Sequence, residues 1–259
     1  MDPCDRGTAY GDGVFRTLLV RDGRLVCWER HYRKLLSDCQ AISVACPSRD
    51  TLEAELAWAS EDSRRGAAKI IVTRGPGSRG YAPPANPKPS RLVSVGPLPS
   101  FPQDNYTEGV CVHRCRMTLG FQPRLAGIKH LNRLENVLAR SEWSSPNFAE
   151  GLLLDAEDHV VEGVASNLFV VREGKLHTPD LSRCGISGVT RERVIDRLLE
   201  EGVPLRVAAI SWAELVTSEE VVLVNSLIGA WQVRKLESHT WVRGRWASRI
   251  RSWLDESEV

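Results

Sequence analysis

The segment that most constrains the fold runs from Leu125 to Trp143 and places a lysine, Lys129, just before a predicted amphipathic helix. Apolar residues then recur at helical spacing: Leu131, Leu134, Val137 and Leu138. We expect this face to be buried and to fix the frame from which the lysine projects. A partly desolvated amine shifts toward its neutral form and attacks carbonyls to give Schiff bases. Lys129 is therefore a candidate nucleophile, unless it simply reaches from a helix end into water.

The chain has 259 residues and a formal net charge of +1. This length can bury a full core and is sufficient for two domains. So small a net charge gives no general field that would attract nucleic acid or a membrane surface. No apolar run approaches membrane-spanning length, and the first residues lack the apolar stretch of a secretory signal. We therefore expect a soluble, cytoplasmic protein.

The seven cysteines are scattered and odd in number, which favours reduced thiols over a disulfide framework. One local cluster alternates along a predicted strand: Cys111, His113 and Cys115. Alternation would place these side chains on one face, as metal ligands could be. No second Cys/His pair completes a tetrahedral set, so we expect no metal and interpret these cysteines as small apolar core residues.

The hydrophobic pattern predicts two α+β domains, 1–102 and 103–259, of which the larger carries Lys129. In the first we expect helices from Trp28 to Ala41 and around Thr51 to Ser60, and strands at Ala68 to Thr73 and Arg91 to Val95. In the second we expect strands at Val110 to Met117, Gly151 to Leu154, Asn167 to Val171 and Glu220 to Val224. Helices should follow Lys129 and Gly188 and lie near the C-terminus. The prolines between Gly96 and Asn105 indicate an interdomain linker.

The run from Gly75 to Gly80 fits the G-x-G-x-x-G pattern of dinucleotide-binding turns. The proline-rich residues that follow, 81–89, cannot open the helix that such a turn requires. We therefore predict a loop. Its arginines, Arg74 and Arg79, could bind a carboxylate because guanidinium is a planar two-pronged donor, although a solvated loop explains them equally well.

The motif Gly127-Ile-Lys-His-Leu-Asn-Arg133 resembles the lysine segment of the fold type IV pyridoxal-phosphate enzymes. Within that family it is more similar to the aminodeoxychorismate lyase branch than to the branched-chain or D-amino acid aminotransferases. The resemblance extends from about Asp5 to the C-terminal helix. It implies a two-domain α+β fold like that of D-amino acid aminotransferase, pyridoxal 5'-phosphate bound to Lys129, and a homodimer.

Two further segments resemble cofactor contacts of the family. Glu162 lies in a run similar to the one that carries the carboxylate at the pyridine nitrogen, although alone it could be an exposed acid at a turn. Small residues precede the helical pattern after Ser187, and free N–H groups at a helix start favour an anion. The resemblance implies that the phosphate binds there, at Gly188, Val189 and Thr190. An ordinary N-cap is the alternative.

The sequence departs from the family at two positions. Lys34 stands where a His-x-x-Arg pattern expects the phosphate-binding arginine, so a point charge replaces a two-pronged donor. Arg16 replaces an uncharged or acidic residue before Thr17, which itself matches a threonine thought to assist the reaction in the lyases. Asn225 and Ser226 resemble a loop that lines the substrate pocket, although the same residues are common in turns.

The resemblance implies a lyase that converts 4-amino-4-deoxychorismate into 4-aminobenzoate and pyruvate for folate biosynthesis, without a metal. Lys129 and Thr17 would then be catalytic. Two alternatives stay open. A transaminase of the same fold would use the same cofactor contacts, and a non-catalytic relative is suggested by Lys34 and Arg16.

Overall fold

The structure is a computed structural model that describes residues 2–61 and 63–256, and it divides into two compact units. Unit 1 contains the chain up to Pro99 together with Ile128–Arg133, and unit 2 contains Ser100–Gly127 and the chain from Leu134 onward. The first boundary falls within the linker predicted between Gly96 and Asn105, close to the predicted domain limit at 102.

Unit 1 is built on a four-stranded antiparallel sheet in the order β2-β1-β3-β4. Its elements are α1 (Arg6–Tyr10), β1 (Gly13–Arg21), β2 (Arg24–Leu25), α2 (Trp28–Ala41), α3 (Arg49–Ala59), β3 (Arg65–Thr73) and β4 (Ser90–Pro97). Side chains alternate across a strand, so Val14 and Leu18 of β1 enter the core with Leu35 of α2, while Phe15 and Thr17 lie on the other face.

The lysine segment packs within unit 1, whereas we predicted that the larger domain, 103–259, would carry it. The reason is backbone pairing with the start of β1. Phe15 donates its N–H to the carbonyl of Lys129 over 2.9 Å, and Leu131 donates to the carbonyl of Gly13 over 2.9 Å. Val14 and His130 form an antiparallel bridge between these two bonds.

Unit 2 is built on a nine-stranded mixed sheet in the order β10-β9-β8-β11-β12-β5-β6-β7, with β13 beside β12. Its strands are β5 (Val110–Leu119), β6 (Phe148–Asp155), β7 (Val160–Gly163), β8 (Asn167–Arg172), β9 (Lys175–Pro179), β10 (Leu205–Ala208), β11 (Glu220–Asn225), β12 (Gly229–Leu236) and β13 (His239–Thr240). Its helices are α4 (Asp104–Thr107), α5 (Leu134–Arg140), α6 (Val189–Glu200), α7 (Trp212–Val216) and α8 (Trp246–Glu256).

The helix after Lys129 differs from the prediction. It begins only at Leu134, and the apolar positions that we expected to be buried are exposed: Leu134 by 68%, Val137 by 57% and Leu138 by 51%. The buried side carries Asn136 and Ala139 instead. A small side chain and an amide that bonds the carbonyl of Val164 let the helix lie close to its unit.

Most other predicted elements are confirmed. The helix Trp28–Ala41 has the predicted bounds, and the predicted loop after Arg74 contains no helix.

Across the described residues no helix is both long enough and apolar enough to cross a bilayer. None of the seven cysteines, all of which are described, forms a disulfide. The described residues contain no group of three or more His, Cys, Asp or Glu that could hold a metal ion.

Candidate active site

Lys129 is half-buried, and its backbone is held on both sides of the peptide unit. Its N–H donates to Asp38 Oδ2 over 3.1 Å, and its carbonyl accepts from Phe15. The side chain then extends over the face of β1 that carries Phe15, with Nζ 4.7 Å from the centre of that ring. The amine is thus presented from a fixed backbone against an aromatic face, which excludes water from part of its surface.

Thr17 lies on the same face of β1, two residues after Phe15. Its partner across the strand pair is Lys69 of β3, whose Nζ lies 5.4 Å from the centre of the Phe15 ring. Two amines and a hydroxyl therefore share this face with one aromatic ring. Our sequence reasoning missed Lys69, although a lysine within the apolar run of β3 was a usable signal.

The two residues that depart from the family pattern share one carboxylate. Lys34 Nζ lies 2.6 Å from Asp38 Oδ1, and the guanidinium of Arg16 bonds Asp38 Oδ2. Asp38 is 1% exposed and Arg16 2% exposed, so this is a buried charge cluster. The cluster pairs Lys34 within unit 1, and its contact with a phosphate stays a prediction.

His130, the residue after the lysine, is buried beside Arg133, and the two side chains are bonded. Burial, and then the charge of Arg133, lower the pKa of His130 to about 4. The imidazole is therefore neutral at neutral pH and adds no positive charge next to Lys129.

Arg74 and Arg79, the predicted carboxylate ligands, differ in placement. Arg74 bonds both oxygens of Asp12, at 2.7 and 3.0 Å, and the carbonyls of Ile42 and Ser43. Burial raises the pKa of Asp12, but the hydrogen bonds and charges of Arg74 and Arg6 outweigh it and hold that pKa below its ordinary value. These bonds give Arg74 a structural role, whereas Arg79 is exposed in the loop.

In unit 2, Glu162 is 2% exposed, so it is not the exposed acid that its local sequence allowed. Its Oε2 accepts the N–H of Ile186 over 2.8 Å. Asn167 anchors the same turn, because its Nδ2 donates to the carbonyl of Ile186 and its Oδ1 accepts the N–H of Gly188 over 3.1 Å. The candidate ring-nitrogen carboxylate is thus tied directly to the turn that opens α6.

The start of α6 presents backbone N–H groups, and its first turn carries the acidic residue Glu192, which accepts a hydrogen bond from the Ser187 hydroxyl over 3.2 Å. Gly188 is the N-cap, and no side chain among the described residues caps the helix by a hydrogen bond. A Cβ at this position would collide with Oδ1 of Asn167, which explains the glycine. The first-turn residues Val189 and Thr190 are buried. Backbone N–H groups at such a helix start favour a phosphate.

The structure brings Ser226 to this helix start, where its hydroxyl lies 3.3 Å from that of Thr190. Its neighbour Asn225 is used by the turn itself. Oδ1 of Asn225 accepts the N–H groups of Leu227 and Ile228, and its Nδ2 donates to the carbonyl of Ala165. Asn225 therefore has a structural role here, and its contact with substrate stays a prediction.

These donor types match those that pyridoxal phosphate requires: an amine in unit 1 and, in unit 2, a buried carboxylate and a helix start that can receive a phosphate. Unit 2 also holds the chain just before the lysine. Gly127 donates to the carbonyl of Gly185 over 2.9 Å and accepts from the N–H of Ser187 over 3.2 Å.

Known proteins with similar sequences and structures agree with this interpretation. The family model for amino-transferase class IV matches residues 13–236. An aminodeoxychorismate lyase of Vibrio harveyi is 35% identical over 87% of this chain and 83% of its own. A putative branched-chain-amino-acid aminotransferase of Methanocaldococcus jannaschii is 28% identical over 86% of this chain and 77% of its own.

Among solved structures, the 4-amino-4-deoxychorismate lyase of Pseudomonas aeruginosa has a TM-score of 0.94 at 46% identity, over 99% of this chain and 94% of its own. The Escherichia coli branched-chain amino acid aminotransferase has a TM-score of 0.85 at 19% identity, over 97% of this chain and 87% of its own, and shows the fold alone. The predicted α+β architecture of fold type IV is confirmed. The chain belongs to the class IV aminotransferase family.

Proposed function

We propose that this protein is a pyridoxal-phosphate-dependent lyase that converts 4-amino-4-deoxychorismate into 4-aminobenzoate and pyruvate, a step of folate biosynthesis. The observation that carries the proposal is the similarity to the Pseudomonas aeruginosa lyase, with 46% identity over 99% of this chain. The lyase-like wording around Lys129 and the placement of that residue within unit 1 support the same activity.

Lys129 would hold the cofactor through its amine, and the same amine would serve as the base of the reaction. Bound pyridoxal phosphate supplies an electron-withdrawing ring that stabilises the electron pair left on a substrate carbon when its proton leaves. Lys129 takes that proton from the carbon bearing nitrogen. The carbon–oxygen bond that joins the enolpyruvyl group to the ring then breaks. Lys129 would return the proton to the departing enolpyruvyl group, so that pyruvate leaves and the remaining ring becomes aromatic. Thr17 assists this proton return by donating a hydrogen bond to the departing group.

The other residues bind and orient. Glu162 keeps the ring nitrogen protonated, because an adjacent carboxylate favours the charged form of that nitrogen. The first N–H groups of α6, at Val189 and Thr190, receive the phosphate. Lys69 is an exposed cation on the face that carries Thr17, and we assign it to a carboxylate of the substrate.

Product analysis tests the reaction. The purified protein, supplied with pyridoxal phosphate and 4-amino-4-deoxychorismate, should release 4-aminobenzoate and pyruvate in equal amounts. Lys129→Ala should lower the rate by about 10³-fold or more, because base and cofactor anchor are both lost. The matched control is Lys175→Ala, which changes an exposed lysine of β9 and should leave the rate unchanged.

A transaminase of the same fold would instead transfer the substrate amine to a keto acid. Transfer to a keto acid without 4-aminobenzoate would contradict the lyase proposal and favour that alternative. Absence of any cofactor binding would favour a non-catalytic relative.

We also propose a homodimer, with the exposed apolar side of α5 against a second copy of the chain. This side consists of Leu134, Val137 and Leu138, each more than half exposed. Exposed apolar side chains that lie together on one side of a helix are typical of interfaces between subunits. Val137→Glu with Leu138→Glu should give a monomer by light scattering, whereas Leu199→Glu on α6, an equally exposed leucine, should not.

We further propose that the protein acts in the cytoplasm. Its seven cysteines without a disulfide are typical of a reducing compartment. Fractionation of cells that express a tagged chain should recover it with cytoplasmic enzymes.

A further inference from the structure

We propose that Asp38 is a positioning residue for Lys129, and that Arg16 and Lys34 are its charge partners. The inference rests on the proposed function, because it concerns the lysine that binds the cofactor. It explains Arg16 and Lys34, the two departures from the family pattern, as members of one charge cluster. Arg16 and Lys34 are balanced by a single carboxylate that also bonds the backbone of Lys129.

Asp38 bonds three groups through its two carboxylate oxygens. Its Oδ2 accepts both the N–H of Lys129, at 3.1 Å, and the guanidinium of Arg16, while its Oδ1 lies 2.6 Å from Lys34 Nζ. The residue is 1% exposed and sits in the third turn of α2, so its position is set by a helix packed in the core. A buried carboxylate bonded to an N–H holds that donor more firmly than a neutral acceptor does.

Because Arg16 and Asp38 are both buried, each charge depends on the other for its stability. Arg16 points from β1 into the unit 1 core, where a guanidinium without a counter-charge would be strongly destabilising. Asp38 supplies that counter-charge. The two cations in turn favour the carboxylate form that accepts the N–H of Lys129. A replacement of Asp38 alone therefore has two effects, one on folding and one on the lysine, and the test must separate them.

Two variants and a control make the separation. Asp38→Asn removes the charge and keeps the size. Arg16→Thr with Asp38→Ala removes both buried charges, so that folding recovers while the N–H of Lys129 still lacks its acceptor. The control, Glu29→Gln, removes an exposed carboxylate from the same helix, where it pairs with Arg33 and Arg49.

The first readout is hydrogen exchange of the Lys129 amide in cofactor-free protein. We expect exchange about tenfold faster or more in Asp38→Asn and in the double variant, and no change in Glu29→Gln. The melting temperature should fall by roughly 10 °C in Asp38→Asn, and the double variant should recover most of that loss. If the double variant restored slow exchange together with stability, Asp38 would only neutralise Arg16 and the proposal would be overturned.

The second readout is the pH midpoint of the absorption band of the lysine-bound cofactor. The elements around Lys129 in unit 1 carry further charged or titratable side chains, which include Arg16, His31, Lys34, Asp38, Lys69, His130 and Arg133. Asp38→Asn raises their net positive charge by one, which disfavours a protonated nitrogen on Lys129. The midpoint should fall by about one unit and return in the double variant. An unchanged midpoint in Asp38→Asn would contradict the proposal.

The two readouts also distinguish failures. A wild-type protein that binds no pyridoxal phosphate at Lys129 would refute the proposed function. Amide exchange in the cofactor-free protein would still decide whether Asp38 positions Lys129.

Discussion

The helices α8 and α6 of unit 2 differ in how the backbone N–H groups of their first turns are satisfied. At α8, Glu220 is 3% exposed and its carboxylate accepts the N–H groups of Trp246 and Ala247 at 3.0 to 3.1 Å. At α6, the N-cap is Gly188, and within residues 2–61 and 63–256 no side chain caps the helix. Both starts present N–H groups that favour an anion. The α8 start has a capping carboxylate within the fold, and we propose that the α6 start receives its anion from a ligand.

The residues around α6 explain how an open start is kept stable. Asn167 holds the N–H of Gly188, and Glu162 holds the N–H of Ile186, so the turn is fixed from outside the helix. Fixing the turn in this way leaves the first-turn N–H groups available. The comparison suggests a rule to test: a helix start without a side-chain cap can bind a ligand when neighbouring strands, and not the ligand, hold its shape.

Removal of the built-in anion should have the largest effect. Glu220→Ala should lower the free energy of unfolding by about 3 kcal/mol, because buried N–H groups of α8 lose a charged acceptor. Urea denaturation measures the loss. The affinity for pyridoxal phosphate should stay within about twofold of wild type, since α6 is unchanged. A large loss of cofactor affinity with intact stability would reverse the roles assigned to the two helix starts.

Glu162→Gln should separate the anchoring of the turn from the cofactor chemistry. Glutamine can still accept the N–H of Ile186, but it cannot keep a ring nitrogen protonated, so the rate should fall by about 10²-fold. Steady-state kinetics with saturating cofactor measures this change.

The matched control is Glu150→Gln, another buried unit 2 glutamate, which accepts N–H groups of Gly151 and Ala165. Burial raises the pKa of Glu150. Its replacement should leave most of the activity. Equal losses in both variants would mean that Glu162 acts only through the fold.

Gly188→Ala should weaken cofactor binding by about tenfold, because its Cβ meets Asn167 and displaces the first turn of α6. Titration of the cofactor absorbance gives the affinity. Gly174→Ala is no suitable control because of its positive φ, whereas Gly96 has normal φ and open space around a Cβ. Gly96→Ala should therefore bind the cofactor normally, and an unchanged affinity in Gly188→Ala would place the phosphate elsewhere.

Inorganic phosphate should produce the smallest effect. At ten times its Kd, binding to the cofactor-free protein contributes about 1.4 kcal/mol, which corresponds to a rise in Tm of roughly 3 °C. Thermal scans in phosphate and in chloride of equal ionic strength measure the difference. The rise should be lost in Gly188→Ala and kept in Gly96→Ala. A rise that Gly188→Ala keeps would show that phosphate binds outside the α6 start.

The sequence predicted regular elements well where a local pattern decides them. The helix Trp28–Ala41 has the predicted bounds because its apolar residues recur at one spacing and β-branched or proline residues do not interrupt it. The helix after Lys129 was predicted with its apolar side buried, yet that side is exposed. Periodicity shows that a helix has an apolar side but does not show what covers it.

Structural features of the candidate site could be predicted where a local motif carries them, and they were missed where residues distant in sequence come into contact. The turn before α6 and the buried Glu162 follow from local sequence together with the resemblance. The partner of Arg74 is Asp12, 62 residues away, and the acceptor for Lys129 is Asp38, 91 residues away. No spacing in a single sequence encodes such contacts. The first depends on the pairing of β1 with β3, and the second depends on how α2 packs against β1.

The measurement that tests the account most directly is borohydride reduction of the protein loaded with pyridoxal phosphate, followed by peptide mapping. Reduction should bleach the absorption band and leave one cofactor per chain, attached at Lys129. The Lys129→Ala variant should carry none. A label on another lysine, such as Lys69 on the same face, or no stable label at all, would contradict the assignment of Lys129 and with it the proposed reaction.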